Sequence, residues 1–178
     1  MRIKWIAPFV LAGGFGCGNG DQRARTVVSS GKKLQVYVAN YPLMYFAERV
    51  GGEHVDVRFP APPDIDPATW KPDAATVADY QRADLILLNG AGYEKWTERA
   101  SLPVARLVDT SGGFRDRYIV IEGALVHSHG PEGEHSHGET AFTTWLDPTL
   151  AIEQALAIRD ALTRARPKSR PDLEEGFL

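Results

Sequence analysis

Apolar and polar positions divide the chain into short segments of two different periods. Residues 34–39 (LQVYVA) and 84–89 (DLILLN) are compact β-type runs. The second is apolar enough to be buried on both faces, as an inner strand of a parallel sheet requires. Residues 54–59 (HVDVRF) alternate apolar and polar side chains like a half-buried strand, and 104–109 (VARLVD) and 118–122 (YIVIE) read as two further strands. Helical spacing appears in 43–50 (LMYFAERV), which Gly51 and Gly52 stop, in 74–82, in 93–100, and most clearly in 148–164. Asp147 supplies an N-cap for that last helix and Pro148 its first position. Prolines at 60, 62, 63, 67 and 72 make 60–72 an irregular loop. Alternating strands and helices without an internal repeat predict an α/β fold, a mostly parallel sheet with flanking helices. Ligands of such sheets gather at the carboxyl ends of the strands, which here lead into 40–42, 60–72, 89–93 and the stretch after 122.

Composition changes this picture little. With 178 residues, 43% hydrophobic and 24% charged, the chain has the make-up of one globular domain. A net charge of -3, with no basic stripe in the sequence, argues against nucleic acid as a partner. A single cysteine excludes an internal disulfide framework.

That cysteine belongs to an export pattern. Arg2 and Lys4 precede a short apolar run over 5–15, and Gly14, Phe15 and Gly16 lead into Cys17. A basic region, an apolar region and small residues form the layout of a secretory signal, and the run is too short for a permanent membrane span. The pattern resembles a bacterial lipoprotein box, with Gly14 where leucine is usual. It predicts a signal over 1–16, acylation at Cys17, anchoring in a lipid bilayer and a polar tether over 17–33. The predicted location is the periplasmic or cell-surface side.

The chemistry concentrates in 126–139, where four of the five histidines form two His-x-His pairs, His127 with His129 and His135 with His137. Neutral imidazoles are good ligands for zinc, copper or nickel, and Glu132, Glu134 and Glu139 add oxygen donors. The intervening Gly-Pro-Glu-Gly disfavours regular structure, so the donors are expected on a loop that folds around an ion. The plainer alternative is a solvated polar loop.

Four fragments in order resemble one family: VYVANYPLMYFAERVGGEHVDV, DIDPATWKPDAATVADYQRADLILLNGAGYEKW, the histidine-rich segment, and TTWLDPTLAIEQALAIRDAL. They are similar to the amino-terminal lobe of the zinc/manganese solute-binding proteins of ABC importers, over about 35–162. The resemblance implies a Rossmann-like lobe over 34–166 and a divalent metal, zinc above all, as ligand. It further implies an importer permease as partner, and 167–178 as the opening of a helix toward a second lobe. The family's metal histidines correspond here to Ala68 and Thr143, neither of which replaces an imidazole. With Leu178 last, no second lobe is expected within this chain, either as a truncated member or as a one-lobe descendant. Leu173, Phe177 and Leu178 are then expected to lack packing partners, and the tail to fray or pair with another chain.

Three functions follow. The first is metal capture through the loop histidines. The second is an organic or chelate ligand in a pocket formed by Tyr41, Trp70, Tyr93 and Trp145, all near strand ends or family segments. Against that pocket stands the usual place of aromatic residues, in a core or at its rim. The third, an enzyme, is disfavoured: no nucleophile elbow, His-Glu-x-x-His or phosphate-binding loop appears. His54 reads as a surface residue, and Asp64 and Asp66 as turn formers.

Overall fold

The computed structural model describes residues 31–121 and 139–178. Their centre is the uninterrupted apolar strand β3 (Leu85–Leu88), flanked by β1 (Leu34–Val38) on one side and β4 (Leu107–Asp109) on the other. Strand β2 (Val55–Arg58) completes a four-stranded sheet of order β2-β1-β3-β4, parallel throughout. Alternation along the strands sends Val36, Val38, Leu85 and Leu87 to one face and Tyr37, Ile86 and Leu88 to the other. The first face is covered by α1 (Tyr41–Gly51), α3 (Pro148–Ala165) and α4 (Arg170–Phe177) through Leu43, Ala47, Val50, Ile158, Leu162 and Leu173. The second carries α2 (Ala74–Arg82), whose buried Tyr80 donates its hydroxyl to Val38 O at 2.9 Å.

Local chemistry sets the helix ends. Asn40, Asp73 and Asp147 each cap a helix by accepting a backbone N–H, from Leu43 (3.0 Å), Thr76 (2.8 Å) and Thr149 (2.8 Å). Helix α1 stops at Gly51, where a Cβ would lie 2.6 Å from the Val55 side chain, and at Gly52, whose φ is +49°.

Three predicted elements take other forms. The helix over 93–100 is a 3-10 turn, Lys95–Arg99, and the strand over 104–109 begins with one, Val104–Arg106, so β4 is only Leu107–Asp109. The run over 118–122 does not join the main sheet. Instead β5 (Val120–Ile121) pairs antiparallel with β6 (Glu139–Thr140) as a separate ribbon. Its apolar residues Ile119, Val120 and Ile121 are exposed, so apolar content alone did not carry it into the core.

The tail is also ordered differently from expectation. Leu173 is buried in the main core and Phe177 packs against it. The Arg159 guanidinium lies 5.2 Å above the Phe177 ring, and a Cβ on Gly176 would stand 2.5 Å from Val50 O, so α4 seats closely on α1 and α3. Leu178 alone of the three is 95% exposed. The partners come from within the lobe because the α1–α3 groove is open to the chain that follows α3. Replacing Leu173 with alanine should cost about 2–5 kcal/mol of unfolding free energy, the range for a buried leucine, and Leu178→Ala within about 0.5 kcal/mol of zero. Urea denaturation of the two variants measures both; equal midpoints would contradict the docking of α4.

Candidate functional site

The carboxyl edge of a parallel sheet leaves strand-end carbonyls and amides without ladder partners, and buried groups of that kind need others. Here Val38 O accepts from the Tyr80 hydroxyl and Leu88 O from the Thr110 hydroxyl, while Asn89, which follows β3 and is fully buried, ties together the segments beyond the strands. Its Nδ2 donates to Phe142 O at 2.9 Å and Gly90 O at 3.2 Å. Its Oδ1 accepts from Asn40 Nδ2 at 3.3 Å and Gln154 Nε2 at 3.2 Å. Gln154, on α3, also donates to Thr110 Oγ1 at 3.0 Å, and that hydroxyl donates to Leu88 O at 2.8 Å. One amide thus joins the ends of β1 and β3, the helix α3 and the segment after β6, and Gln154 extends the network to β4. Gln154 Oε1 and Thr144 Oγ1 are the buried side-chain atoms without a protein partner among the described residues.

The turn after Asn89 is equally constrained. Gly90, Ala91 and Gly92 all have positive φ (76°, 52° and 80°), and a Cβ on Gly90 would meet Asp109 Oδ1 at 2.1 Å. The Glu94 carboxylate closes the turn by accepting from Asn89 N and, at 3.2 Å, Gly90 N. Burial pushes Glu94 up to about 7 against the pull of those two donors, and the Asp109 charge adds to the rise.

Beside Glu94, Tyr93 meets Phe142 at 5.2 Å and Trp145 at 5.7 Å between ring centroids, both edge to face. Burial first, then the Asp66 and Glu94 carboxylates, push the Tyr93 phenol up to about 12. Tyr93 and Phe142 are also the inner wall of an open cleft of about 970 Å³ whose outer walls include Ala68, Trp70 and Trp96. The two indoles lie 6.3 Å apart, edge to face.

The predicted pocket residues therefore divide. Trp70 and Tyr93 line this cleft, Trp145 touches it only through Tyr93, and Tyr41 stands 62% exposed at the start of α1, outside the lining. Ala68 lines the same cleft, while Thr143 belongs to a separate depression of about 490 Å³ with Tyr118, Ile119 and Leu146. Asp66 forms a turn, accepting from Ala68 N at 3.0 Å and, through its carbonyl, from Thr69 N at 3.0 Å. His54 lies at the opposite, amino edge of the sheet, where its ring contacts Asp172 Oδ2 at 2.9 Å and Ser169 Oγ at 3.3 Å. It is a largely covered tie between β2 and α4 rather than the free surface residue expected. Cys17, His127, His129, His135 and His137 lie outside the described residues. Among the described residues no three His, Cys, Asp or Glu side chains form a group able to hold a metal ion.

The family model described as the periplasmic zinc-uptake complex component A, ZnuA, matches residues 36–177. The chain belongs to the ZnuA family. The "High-affinity zinc uptake system protein ZnuA" of Bacillus subtilis (strain 168) is 29% identical over 190 residues, covering 99% of this chain and 57% of the relative. The "Zinc-binding protein AdcA" of Streptococcus pyogenes serotype M3 (strain MGAS315) is 25% identical over 158 residues, 82% of this chain and 30% of that protein. Among solved structures, a ZnuA deletion mutant with zinc bound superposes with a TM-score of 0.68 at 27% identity, over 82% of this chain and 52% of that one. The chain thus spans little more than half the length of these ZnuA proteins. The α/β lobe expected from the sequence is the fold this family shares.

Sequence reading missed Asn89, Glu94 and Gln154, although one signal was available. Gln154 interrupts the apolar stripe of α3 one turn before Ile158, and a polar residue on a buried stripe requires a partner. Glu94 yields a test. Its folded-state pKa is raised from 4.5 to about 7, so its contribution to stability is complete below pH 4.5 and is lost as pH rises through 7. The loss is on the order of 3 kcal/mol at 1.36 kcal/mol per unit. Glu94→Gln should remove this part of the pH dependence, so urea unfolding of parent and variant should diverge between pH 5 and pH 8. Parallel profiles would refute the assignment.

Proposed function

We propose that this chain is the metal-capturing lobe of an exported solute-binding protein that delivers zinc to an ABC importer permease, held at the membrane through acylated Cys17. It is a binding component without a catalytic step. The observation that carries this reading is the match over nearly the whole lobe to a family described as a zinc-uptake component. With Ala68 and Thr143 at the positions where the resemblance puts the family's histidines, capture falls to His127, His129, His135 and His137, with Glu134 able to add an oxygen. The stem of their segment supports this. Residues 122–138 connect β5 to β6, whose ends pair as Ile121 with Glu139, and Asn89 grips Phe142 O just beyond β6. Donors strung between those two strands start and finish beside the carboxyl edge of the sheet.

The cleft favours a second reading. Its aromatic walls and size suit an organic or metal-chelate ligand, and no group of metal donors stands among the described residues. Quenching of tryptophan fluorescence by such a ligand, in a variant without the four histidines, would separate this reading from ion capture.

Calorimetric titration of zinc into the chain from Asn19 onward tests the first reading. A micromolar or weaker affinity is expected, since ordering a loop on binding costs chain entropy. The variant with His127, His129, His135 and His137 replaced by alanine should not bind. Protons compete with the ion below the histidine pKa of about 6.5, so parent affinity should fall about tenfold or more between pH 7 and pH 5. Retained binding by the variant, or affinity indifferent to pH, would rule out histidine ligation.

A further inference from the structure

We infer that the amino edge of the sheet is a basic face that rests on an anionic phospholipid surface. The cations that form it are dispersed along the chain: Lys32, Lys33, Arg106, Arg164, Arg166 and Lys168. The fold assembles them. The first strand begins at Leu34, directly after the two lysines, and Arg106 immediately precedes β4. Helix α3 runs antiparallel to the strands, from the Asn89 network down to this edge, so its last turn delivers Arg164 here. Arg166 then donates to Lys32 O, and Lys168 follows in the 3-10 turn whose Ser169 meets His54 ahead of β2. Arg106 is fixed by donating to Gln81 O at 3.0 Å and Ala83 O at 2.9 Å. All but the partly covered Arg166 are exposed. Three carboxylates, Glu53, Asp84 and Asp172, share this edge; Asp84 accepts from Gln35 N at 2.8 Å and Asp172 contacts the His54 ring at 2.9 Å.

A basic residue in the last turn of a helix is ordinarily explained by the helix dipole, and Arg164 satisfies that explanation. Lys32 and Lys33 lie outside any helix, so the dipole does not account for them. The occupant follows from where the chain enters. Gly31 lies against the Arg166 guanidinium, so residues 17–30 join the lobe at this face. This step rests on the export and acylation reading of Cys17. A polar tether of that length has a root-mean-square span of about 20 Å, which is about two screening lengths at ordinary salt. The lobe is therefore held near the lipid with its positive side foremost, while the cleft and β5–β6 ribbon, at the other edge, point away. Each Lys or Arg brought to an anionic surface strengthens partition about fivefold.

The test is sedimentation of the full chain carrying Cys17→Ala, which removes acylation, with vesicles of pure phosphatidylcholine or with phosphatidylglycerol added. Binding to the anionic vesicles is expected to exceed binding to the neutral ones and to vanish in high salt. Lys33→Glu, Arg164→Glu and Lys168→Glu together should weaken it at least about tenfold without shifting the thermal midpoint. The same net change at Arg58, Lys71 and Arg99, toward the other edge, should weaken it by less than about threefold. Equal binding to both vesicle types, or equal losses from the two triple variants, would overturn the proposal. So would an affinity for duplex DNA matching that for anionic vesicles, which would mark a general polyanion surface. Acylation of the unaltered chain is read separately by mass spectrometry, and zinc binding by calorimetry, so failure of either is distinguishable from failure of the basic face.

Discussion

The lobe depends on the buried side-chain amide of Asn89. A parallel sheet cannot satisfy its own carboxyl edge, and an unsatisfied buried polar group costs more than a formed hydrogen bond returns. Tyr80 and Thr110 satisfy the strand-end carbonyls of Val38 and Leu88, and Asn89 joins the segments beyond them with both ends of its amide, donating to Phe142 O and Gly90 O and accepting from Asn40 and Gln154. The placement of the aromatic wall follows from those contacts. Phe142 is held by its carbonyl, Tyr93 by the turn that Glu94 closes, and the two rings then meet edge to face. Loss of Asn89 would uncouple the Asn40 cap, the Gln154 side chain of α3 and the Phe142 carbonyl together.

The elements legible in the sequence were those whose periodicity and packing agree. The β3 run, the α1 repeat of Leu43, Ala47 and Val50, and the capped α3 helix all appear within a residue or two of their expected bounds. The run at 118–122 does contain the strand read there, but shortened to Val120–Ile121 and paired in a peripheral ribbon, since which sheet a strand joins is not set by its apolar content. The burial of Leu173 was illegible for a different reason, since the groove that receives it is made by residues more than a hundred positions upstream as well as by α3. The same holds for the site. Single residues such as Trp70 and Tyr93 could be singled out by type, but the convergence of Asn40, Asn89, Thr110 and Gln154 is a property of strand order, which no local pattern encodes.

The described part of the lobe is rich in aromatic faces and poor in grouped metal donors, whereas the chain's histidines concentrate in one segment. A rigid support and a separate set of donors are a sensible division for capturing an ion. On the proposed reading, the coordination geometry of the ion need not then be reconciled with core packing.

The short ribbon of β5 and β6 carries a further implication for how such a protein can change over generations. Ile121 pairs with Glu139 across the ribbon, and the cost of closing a connection between two such strands rises by only about 0.6 kcal/mol for each doubling of its length. The core clusters of the described lobe draw on none of the four histidines between these strands. On the proposed reading, metal preference is open to selection there while the fold stays fixed.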